Sequence, residues 1–283
     1  LLCFAFVATL TRVLSAETGN GGLIAPELVQ IPAGTFIIGS DKAERDYAYQ
    51  LDEIAYGHDF TRVNKWYENE NASRSVFQAA FSITWAPITN QQYAAYINET
   101  AGTAPSVTED QWESYGLIHP YSRALKYSWK NSTPPKNRNN HPVVLISHED
   151  ASRYAKWLSK KTGKTWQLPT EQQWEKAARG TDGRYFPWGN IYSGAHLNSH
   201  DLGPFDTVPV GRFHLGLSPY GAADLSGQVF EWTRKINNAH RVIVKGGSWD
   251  DKGCGVCRAA ARHSRPANLK HILIGFRLVI EGT

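Results

Sequence analysis

The chain has 283 residues, of which 41% are hydrophobic and 20% charged, with a formal net charge of +4. This length and composition are ordinary for a globular protein with a substantial core. The basic residues form no block and no nucleic-acid-binding motif occurs, so no nucleic-acid partner is expected.

The chain opens on a short apolar run, LLCFAFVATL, which is followed by TRVLSA and then by polar residues. Ten apolar residues are too few to cross a bilayer, but they suit the hydrophobic region of a signal peptide with small residues at its end. The alternative is a buried N-terminal strand or helix. We predict that residues 1–16 are a signal peptide, that the protein is exported, and that its mature form has no stable membrane span.

The next two segments differ in amino-acid composition. Residues 21–39 alternate short apolar stretches with Pro and Gly, which predicts short strands and turns. Residues 40–80 are densely charged and carry several tyrosines and one tryptophan. We predict that this charged insert is a long excursion over the surface, and long ordered loops are often functional.

Four predicted helices begin with the same local pattern. A Ser or Thr is followed three residues later by an acidic or amide side chain, so that each can bond to the backbone of the other and cap the helix. Gly163 and Gly180 are expected to end the last two of these helices. The four pairs are Thr89 with Gln92, Thr108 with Gln111, Ser147 with Asp150, and Thr170 with Gln173.

Beyond residue 180 the chain is rich in Gly, Pro, Asn and Asp, with short apolar runs. The clearest strands are predicted at 242–244 and 276–280. A few helices within a turn-rich chain favour an α+β protein with little regular secondary structure. Since no repeat or low-complexity linker divides the chain, we predict a single domain over residues 21–283.

A set of motifs in a fixed order carries a family resemblance. The most specific motifs are LPTEQQWEKAARG (168–180), GQVFEWT (227–233) and KGGSW (245–249) with GFR (275–277). With these motifs, the chain resembles the formylglycine-generating enzyme (sulfatase-modifying factor) family over roughly residues 27–279. The resemblance implies a compact single domain related to the C-type lectin fold. It also implies oxidation by molecular oxygen, since the type enzymes use a copper(I)-binding cysteine pair to convert a sulfatase cysteine to formylglycine.

The resemblance also implies two structural calcium sites. Calcium prefers six to eight oxygen ligands, which turns rich in Asp, Asn and Glu provide. The alternative is that Asp224 and Glu231 cap turns or pair with Arg. The first site corresponds to Asn198, the Ser199 carbonyl, Asp201 and the Gly203 carbonyl, and the second to Asp224, the carbonyls of Gly227 and Val229, and Glu231.

Three cysteines occur, and Cys3 lies in the predicted signal peptide. Cys254 and Cys257 form a C-x-x-C pair, and in an oxidising compartment such a pair is expected to be a disulfide. The pair could instead be redox-active, because C-x-x-C spacing often lowers the pKa of one thiol.

The copper cysteine pair of the family is broken in this chain. Asp251 stands where the type enzymes have the first copper cysteine, and Cys254 aligns with the second. Cu(I) is soft and prefers two thiolates, so copper is not expected. Ser248, Asp251, Cys254 and His263 remain as candidate catalytic residues, since a carboxylate and an imidazole can move protons while the substrate supplies the electrons. The alternative for His263 is a structural histidine.

Within the family, the insert segment AERDYAYQLDEIAYGH (43–58) resembles a periplasmic subgroup that matures the siderophore pyoverdine. That resemblance implies periplasmic oxidation of a siderophore's dihydro-chromophore. The implied partners are the siderophore precursor peptide and other periplasmic maturation proteins. Two alternatives stay open: a non-catalytic, calcium-stabilised binding module, and an authentic formylglycine-generating enzyme that uses Cys254 and Cys257.

Overall fold

The computed structural model describes residues 24–234 and 240–282, and the predicted signal peptide lies outside these ranges. Helices and strands alternate irregularly along the described chain. The helices are α1 Lys42–Tyr56, α2 Phe60–Val63, α3 Asn90–Thr100, α4 Glu109–Ser114, α5 Tyr121–Ala124, α6 His148–Thr162 and α7 Glu171–Arg179. The strands are β1 Leu28–Ile31, β2 Gly34–Ile38, β3 Arg74–Gln78, β4 Phe81–Thr84, β5 Trp166–Gln167, β6 Phe230–Trp232, β7 Arg241–Lys245, β8 His263–Pro266, β9 Ile274–Gly275 and β10 Val279–Glu281.

The four predicted helix starts are confirmed. The side chain of the predicted cap accepts a hydrogen bond from the third helical residue at the start of α3, α4, α6 and α7. In α3, α6 and α7 the partner side chain also bonds back to the cap, which completes a capping box. Gly163 and Gly180 follow the last residues of α6 and α7, as predicted.

Three sheets organise the strands. One has the order β1-β4-β10-β5 with antiparallel pairs, a second consists of β2 and β3, and the third has the order β8-β7-β6-β9 with β9 parallel to β6. The largest buried apolar cluster lies between α3, α6 and the third sheet. Its aromatic centre includes Tyr93 and Tyr154, stacked 5.3 Å apart, and Phe276 at 5.5 Å from Tyr154.

The strand predicted at 242–244 is confirmed as part of β7, whereas of the one predicted at 276–280 only 279–280 are strand, in β10. β9 belongs to the third sheet and β10 to the first, so the chain passes from one sheet to the other at residues 276–278. Arg277, in that passage, turns its guanidinium inward to Glu231. From 180 to 229 the chain contains no element longer than a single 3₁₀ turn. The α+β class with little regular structure is therefore confirmed.

The segment 40–80 lies largely at the surface, as predicted, but it is not a loop throughout. Residues 42–56 form α1, whose first turn is capped by Asp41 and whose last turn ends at Gly57 in the left-handed conformation. Glu44 and Asp52 of this helix are buried. Their burial is possible because basic and polar groups from later parts of the chain bond to them, as described below. None of the described helices is long and apolar enough to cross a membrane.

Candidate functional site

A tight turn after β7 brings two of the predicted catalytic residues together. Gly246 and Gly247 both have positive φ, at 100° and 72°, which lets the chain reverse directly after the strand. At the end of this reversal, the Ser248 amide and the Ser248 hydroxyl each donate to Oδ2 of Asp251, both at 2.7 Å. Asp251 is thus held by the residue three positions before it.

The environment of Asp251 makes its carboxyl group a proton carrier near neutral pH. Burial raises its pKa to about 6, the two hydrogen bonds from Ser248 lower it, and the carboxylates of Asp250 and Asp52 raise it. A general acid or base works best when its pKa is close to the working pH. The turn can therefore take up or release a proton at physiological pH.

Cys254 and Cys257 form a disulfide, as predicted. Both side chains are 0% exposed, and Cys254 Sγ lies 3.6 Å from the carbonyl oxygen of Asp251. The disulfide therefore adjoins the Ser248–Asp251 turn. With both sulfurs bonded to each other, the pair offers no thiolate to Cu(I), and the hard carboxylate of Asp251 does not replace one.

Helix α1 covers the cysteine loop. Oδ1 of Asp52 accepts a hydrogen bond from the Gly255 amide at 3.1 Å, and the Tyr56 hydroxyl accepts one from the Lys252 amide at 3.2 Å. The fit is close, because a methyl group on Gly255 would lie 2.7 Å from the carbonyl oxygen of Ala48. The charged insert therefore forms one wall of the candidate site. This position of the insert was not predicted from the sequence.

A buried ionic cluster ties this wall to the scaffold. Arg258, 0% exposed, donates to Glu44 at 2.9 Å and to Glu70 at 2.5 Å, both from the insert. Glu44 also accepts from Arg179 of α7. Glu175 accepts from Arg179 in turn, and Lys245 of β7 completes the set by bonding to Glu175 at 3.2 Å. Three acidic and three basic side chains thus balance each other without solvent.

His263, the fourth predicted catalytic residue, makes no hydrogen bond to the turn or to Cys254 within the described ranges. Its ring packs against that of Phe230 with centroids 5.5 Å apart. Burial and the charges of Arg265 and Arg241 lower its pKa to about 3, so it stays neutral. Direct contacts therefore link Ser248, Asp251 and the disulfide, whereas the contact described for His263 is with Phe230.

The side chains of the first implied calcium set fit a cation. Oδ1 of Asn198 is buried and has no hydrogen-bond partner within the described part of the chain. It lies beside the Ser199 carbonyl oxygen around a space that a side chain at Gly203 would fill, because a methyl group there would collide with both oxygens. Asp201 follows in the same loop, where its Oδ2 accepts from the Gly253 amide at 3.0 Å. These oxygens could hold a calcium ion.

The side chains of the second implied calcium set already bond to other groups of the protein. Both oxygens of Glu231 accept from Arg277, at 2.6 and 2.7 Å, and Oε2 also accepts from the Trp174 indole at 2.7 Å. Asp224 accepts from the Gly211 amide at 2.7 Å, and burial raises its pKa to about 6. Glu231 thus forms the arginine pair that was the alternative in the sequence, and the side chains around Gly227 and Val229 do not fit a cation site.

Tyr56 and Arg265 also belong to the surroundings of Asp251. Burial, and after it the charge of Asp251, raises the pKa of Tyr56 to about 12. Burial lowers the pKa of Arg265, and the charge of Asp251 opposes that lowering. Tyr56 lies in the insert that was expected at the surface, and Arg265 lies in a strand with no motif. No signal in the spacing of the sequence points to either.

Comparisons with known proteins agree with this geometry. The model of the sulfatase-modifying factor enzyme 1-like domain matches residues 17–282. The "Inactive C-alpha-formylglycine-generating enzyme 2" of Mus musculus is 28% identical over 84% of this chain and 79% of its own length. The "Hercynine oxygenase" of Mycolicibacterium smegmatis is 27% identical over 74% of this chain, but over only 46% of its own length.

Among solved structures, PvdO from Pseudomonas aeruginosa superposes with a TM-score of 0.70. The match covers 91% of this chain and 95% of PvdO, at 24% sequence identity. At that identity the likeness shows a shared fold.

Proposed function

The chain belongs to the family of the sulfatase-modifying factor enzyme 1-like domain, and we propose that it is an oxidoreductase that works at the Ser248–Asp251 turn. The observation that carries the proposal is the carboxyl group of Asp251, which has a pKa of about 6 and stands beside a closed disulfide. A proton-transfer group thus occupies the place of a copper ligand. A relative named as an oxygenase supports oxidative chemistry on this scaffold.

The substrate we propose is the dihydro-chromophore of a pyoverdine-type siderophore precursor, oxidised in the periplasm. The likeness of the fold to PvdO and the export signal predicted at residues 1–16 support this choice. In the step, the substrate loses two electrons and two protons and becomes the unsaturated chromophore. Molecular oxygen takes up the two electrons and the two protons and becomes hydrogen peroxide. Asp251 accepts a proton from the substrate and releases it again.

Calcium at the first set is part of the proposal as a structural ion. The loop that carries Asn198 and Asp201 supports the turn directly, because the His200 amide donates to the Asp251 carbonyl at 3.0 Å. A cation bound by that loop would fix the position of the turn. We do not propose sulfatase activation, because the disulfide leaves Cys254 without a thiolate.

The proposal can be tested in the organism that encodes the chain. Deletion of the gene should leave a reduced, non-fluorescent precursor in the periplasm, and the wild-type gene should restore the mature siderophore. An Asp251→Asn variant should not restore it, whereas Asp182→Asn, which changes a surface carboxylate paired with Arg184, should. Normal siderophore in the deletion strain would overturn the proposal.

A second candidate is a binding module without catalysis, since one relative is named as inactive. On this alternative, the purified chain binds the precursor but consumes no oxygen with it. Oxygen uptake that depends on Asp251 would exclude this alternative.

A further inference from the structure

Arg265 differs from the other inward-facing arginines of the described chain. The buried guanidiniums of Arg179, Arg258 and Arg277 all bond to carboxylates. Arg265 is partly buried, yet no hydrogen bond or ion pair joins it to any residue in 24–234 or 240–282. Its neighbour Arg241 bonds to Ser264 through two nitrogens. Arg265 is therefore a cation with all of its donors available.

The strand register places Arg265 at the candidate site. In β8 it lies two residues after His263, so both side chains leave the same face of the sheet, opposite Val242 and Val244 of β7. His263 contacts the Phe230 ring on that face. Arg265 therefore shares a face of the sheet with His263, one of the four predicted catalytic residues.

The charged and titratable groups around Arg265 come from several loops. Arg241 and His263 lie on β7 and β8, His271 follows β8, and Asp251 lies in the turn after β7. Burial lowers the pKa of Arg265, and Asp251 is the acidic group that opposes this effect. His263 and His271 are neutral, since burial lowers the pKa of each to about 3. A partly desolvated cation without a bonded partner is costly, and such groups concentrate at functional sites.

We propose that Arg265 binds a carboxylate group of the substrate beside Asp251, an assignment that rests on the proposed function for its location. A guanidinium presents two parallel N–H groups that match the two oxygens of a carboxylate. A monoanion suits the site better than a phosphate dianion, because the carboxylate of Asp251 adds negative charge near the guanidinium. The Phe230 ring, which is 5% exposed, packs against His263 on the same face, so the surroundings of Arg265 are partly apolar. The ligand class is thus an organic acid with an apolar or aromatic body.

The test uses the full chain and benzoate as probe, with benzamide as its uncharged counterpart. Titration is followed by calorimetry or by NMR. The wild-type chain should bind benzoate about tenfold or more tightly than benzamide. Arg265→Gln should abolish this preference, and Arg265→Lys should restore part of it. Arg241→Gln, which removes a neighbouring positive charge but leaves Arg265 in place, should keep it. Circular dichroism and thermal melting verify that each variant is folded.

Three results would overturn the proposal: no preference for benzoate in the wild-type chain, an unchanged preference in Arg265→Gln, or tighter binding of inorganic phosphate than of benzoate. None of these measurements needs turnover, so they are independent of the oxidase proposal. If Arg265→Gln loses benzoate binding while a deletion strain makes normal siderophore, the anion site stands and the proposed reaction fails.

Discussion

The amide of Gly255 donates a hydrogen bond to Oδ1 of Asp52 at 3.1 Å, although 203 residues separate the two in sequence. This bond joins the charged insert to the loop between the two cysteines. Asp52 also accepts from the Tyr67 hydroxyl through its other oxygen, so two parts of the insert meet at one carboxylate. The insert is therefore a structural wall of the site.

The pairing of Arg258 with Glu44 and Glu70 should dominate the stability of that wall. Arg258→Met leaves the buried carboxylate of Glu70 without a partner and Glu44 with Arg179 alone, which should cost about 3–5 kcal/mol of the free energy of unfolding. Arg184→Met removes a partly exposed pair with Asp182 and should cost less than about 1 kcal/mol. Denaturant titration of both variants measures the difference. Equal losses would show that the cluster does not anchor the insert.

The disulfide should resist reductants as long as the chain is folded. Cys254 and Cys257 are both 0% exposed and lie under α1, so a thiol reagent cannot reach them without local opening. Mass spectrometry after treatment with dithiothreitol and iodoacetamide should find neither Cys254 nor Cys257 alkylated in native protein, and both alkylated after unfolding. Rapid alkylation of the native chain would instead indicate a redox-active pair. Replacing both cysteines by serine should lower stability by about 2 kcal/mol, given the short loop.

Asp251 should make stability depend on pH in a defined direction. Its folded pKa of about 6 is above the ordinary value of 3.8, so the folded state binds the proton more tightly than the unfolded state. The stabilisation that the protonated Asp251 contributes to the folded state is therefore fully present below about pH 4 and is lost as the pH rises through 6. Relative to the wild type, Asp251→Asn should gain up to about 3 kcal/mol between pH 4 and pH 7. Denaturant titrations across this range measure the gain.

Ser248→Ala provides the matched variant for this experiment. The hydroxyl of Ser248 donates to Asp251, and this bond lowers the pKa of the carboxyl group. Without the hydroxyl, the midpoint of the pH dependence should move upward from about 6. A stability difference between wild type and Asp251→Asn that stays flat from pH 4 to pH 7 would contradict the assigned environment.

Calcium should raise the melting temperature through the first set alone. Asp201→Asn removes the carboxylate charge of that set, so the calcium-dependent shift in melting temperature should shrink or vanish. Asp224→Asn changes the second set, whose Glu231 is bonded to Arg277, and should leave the shift intact. Differential scanning fluorimetry with calcium and with a chelator compares the three proteins. A shift that depends on Asp224 but not on Asp201 would reverse the assignment.

Local features of the fold were predictable from the sequence. The caps at Thr89, Ser147 and Thr170 depend on residues only three positions away, so their patterns are visible in the chain itself. The disulfide was predictable for the same reason, since its cysteines are three residues apart. The order of family motifs supplied the domain type.

Features that depend on distant partners were not predictable. A charged segment such as α1 is normally a solvated surface, and Glu44 is buried only because Arg179 and Arg258 follow 135 and 214 residues later. The same holds for Glu231, whose role depends on Arg277. His263 was placed with the catalytic residues by its position in the family segment, but strand pairing opposite Val244 positions its ring against Phe230.

Oxygen uptake by the purified protein, with the reduced siderophore precursor as substrate, tests the central claim most directly. The wild-type chain should consume one oxygen for each chromophore formed and release one hydrogen peroxide. A Cys254→Ser/Cys257→Ser double variant should retain this activity once folded, whereas Asp251→Asn should lose most of it. Loss of activity in the double cysteine variant together with full activity in Asp251→Asn would contradict the account.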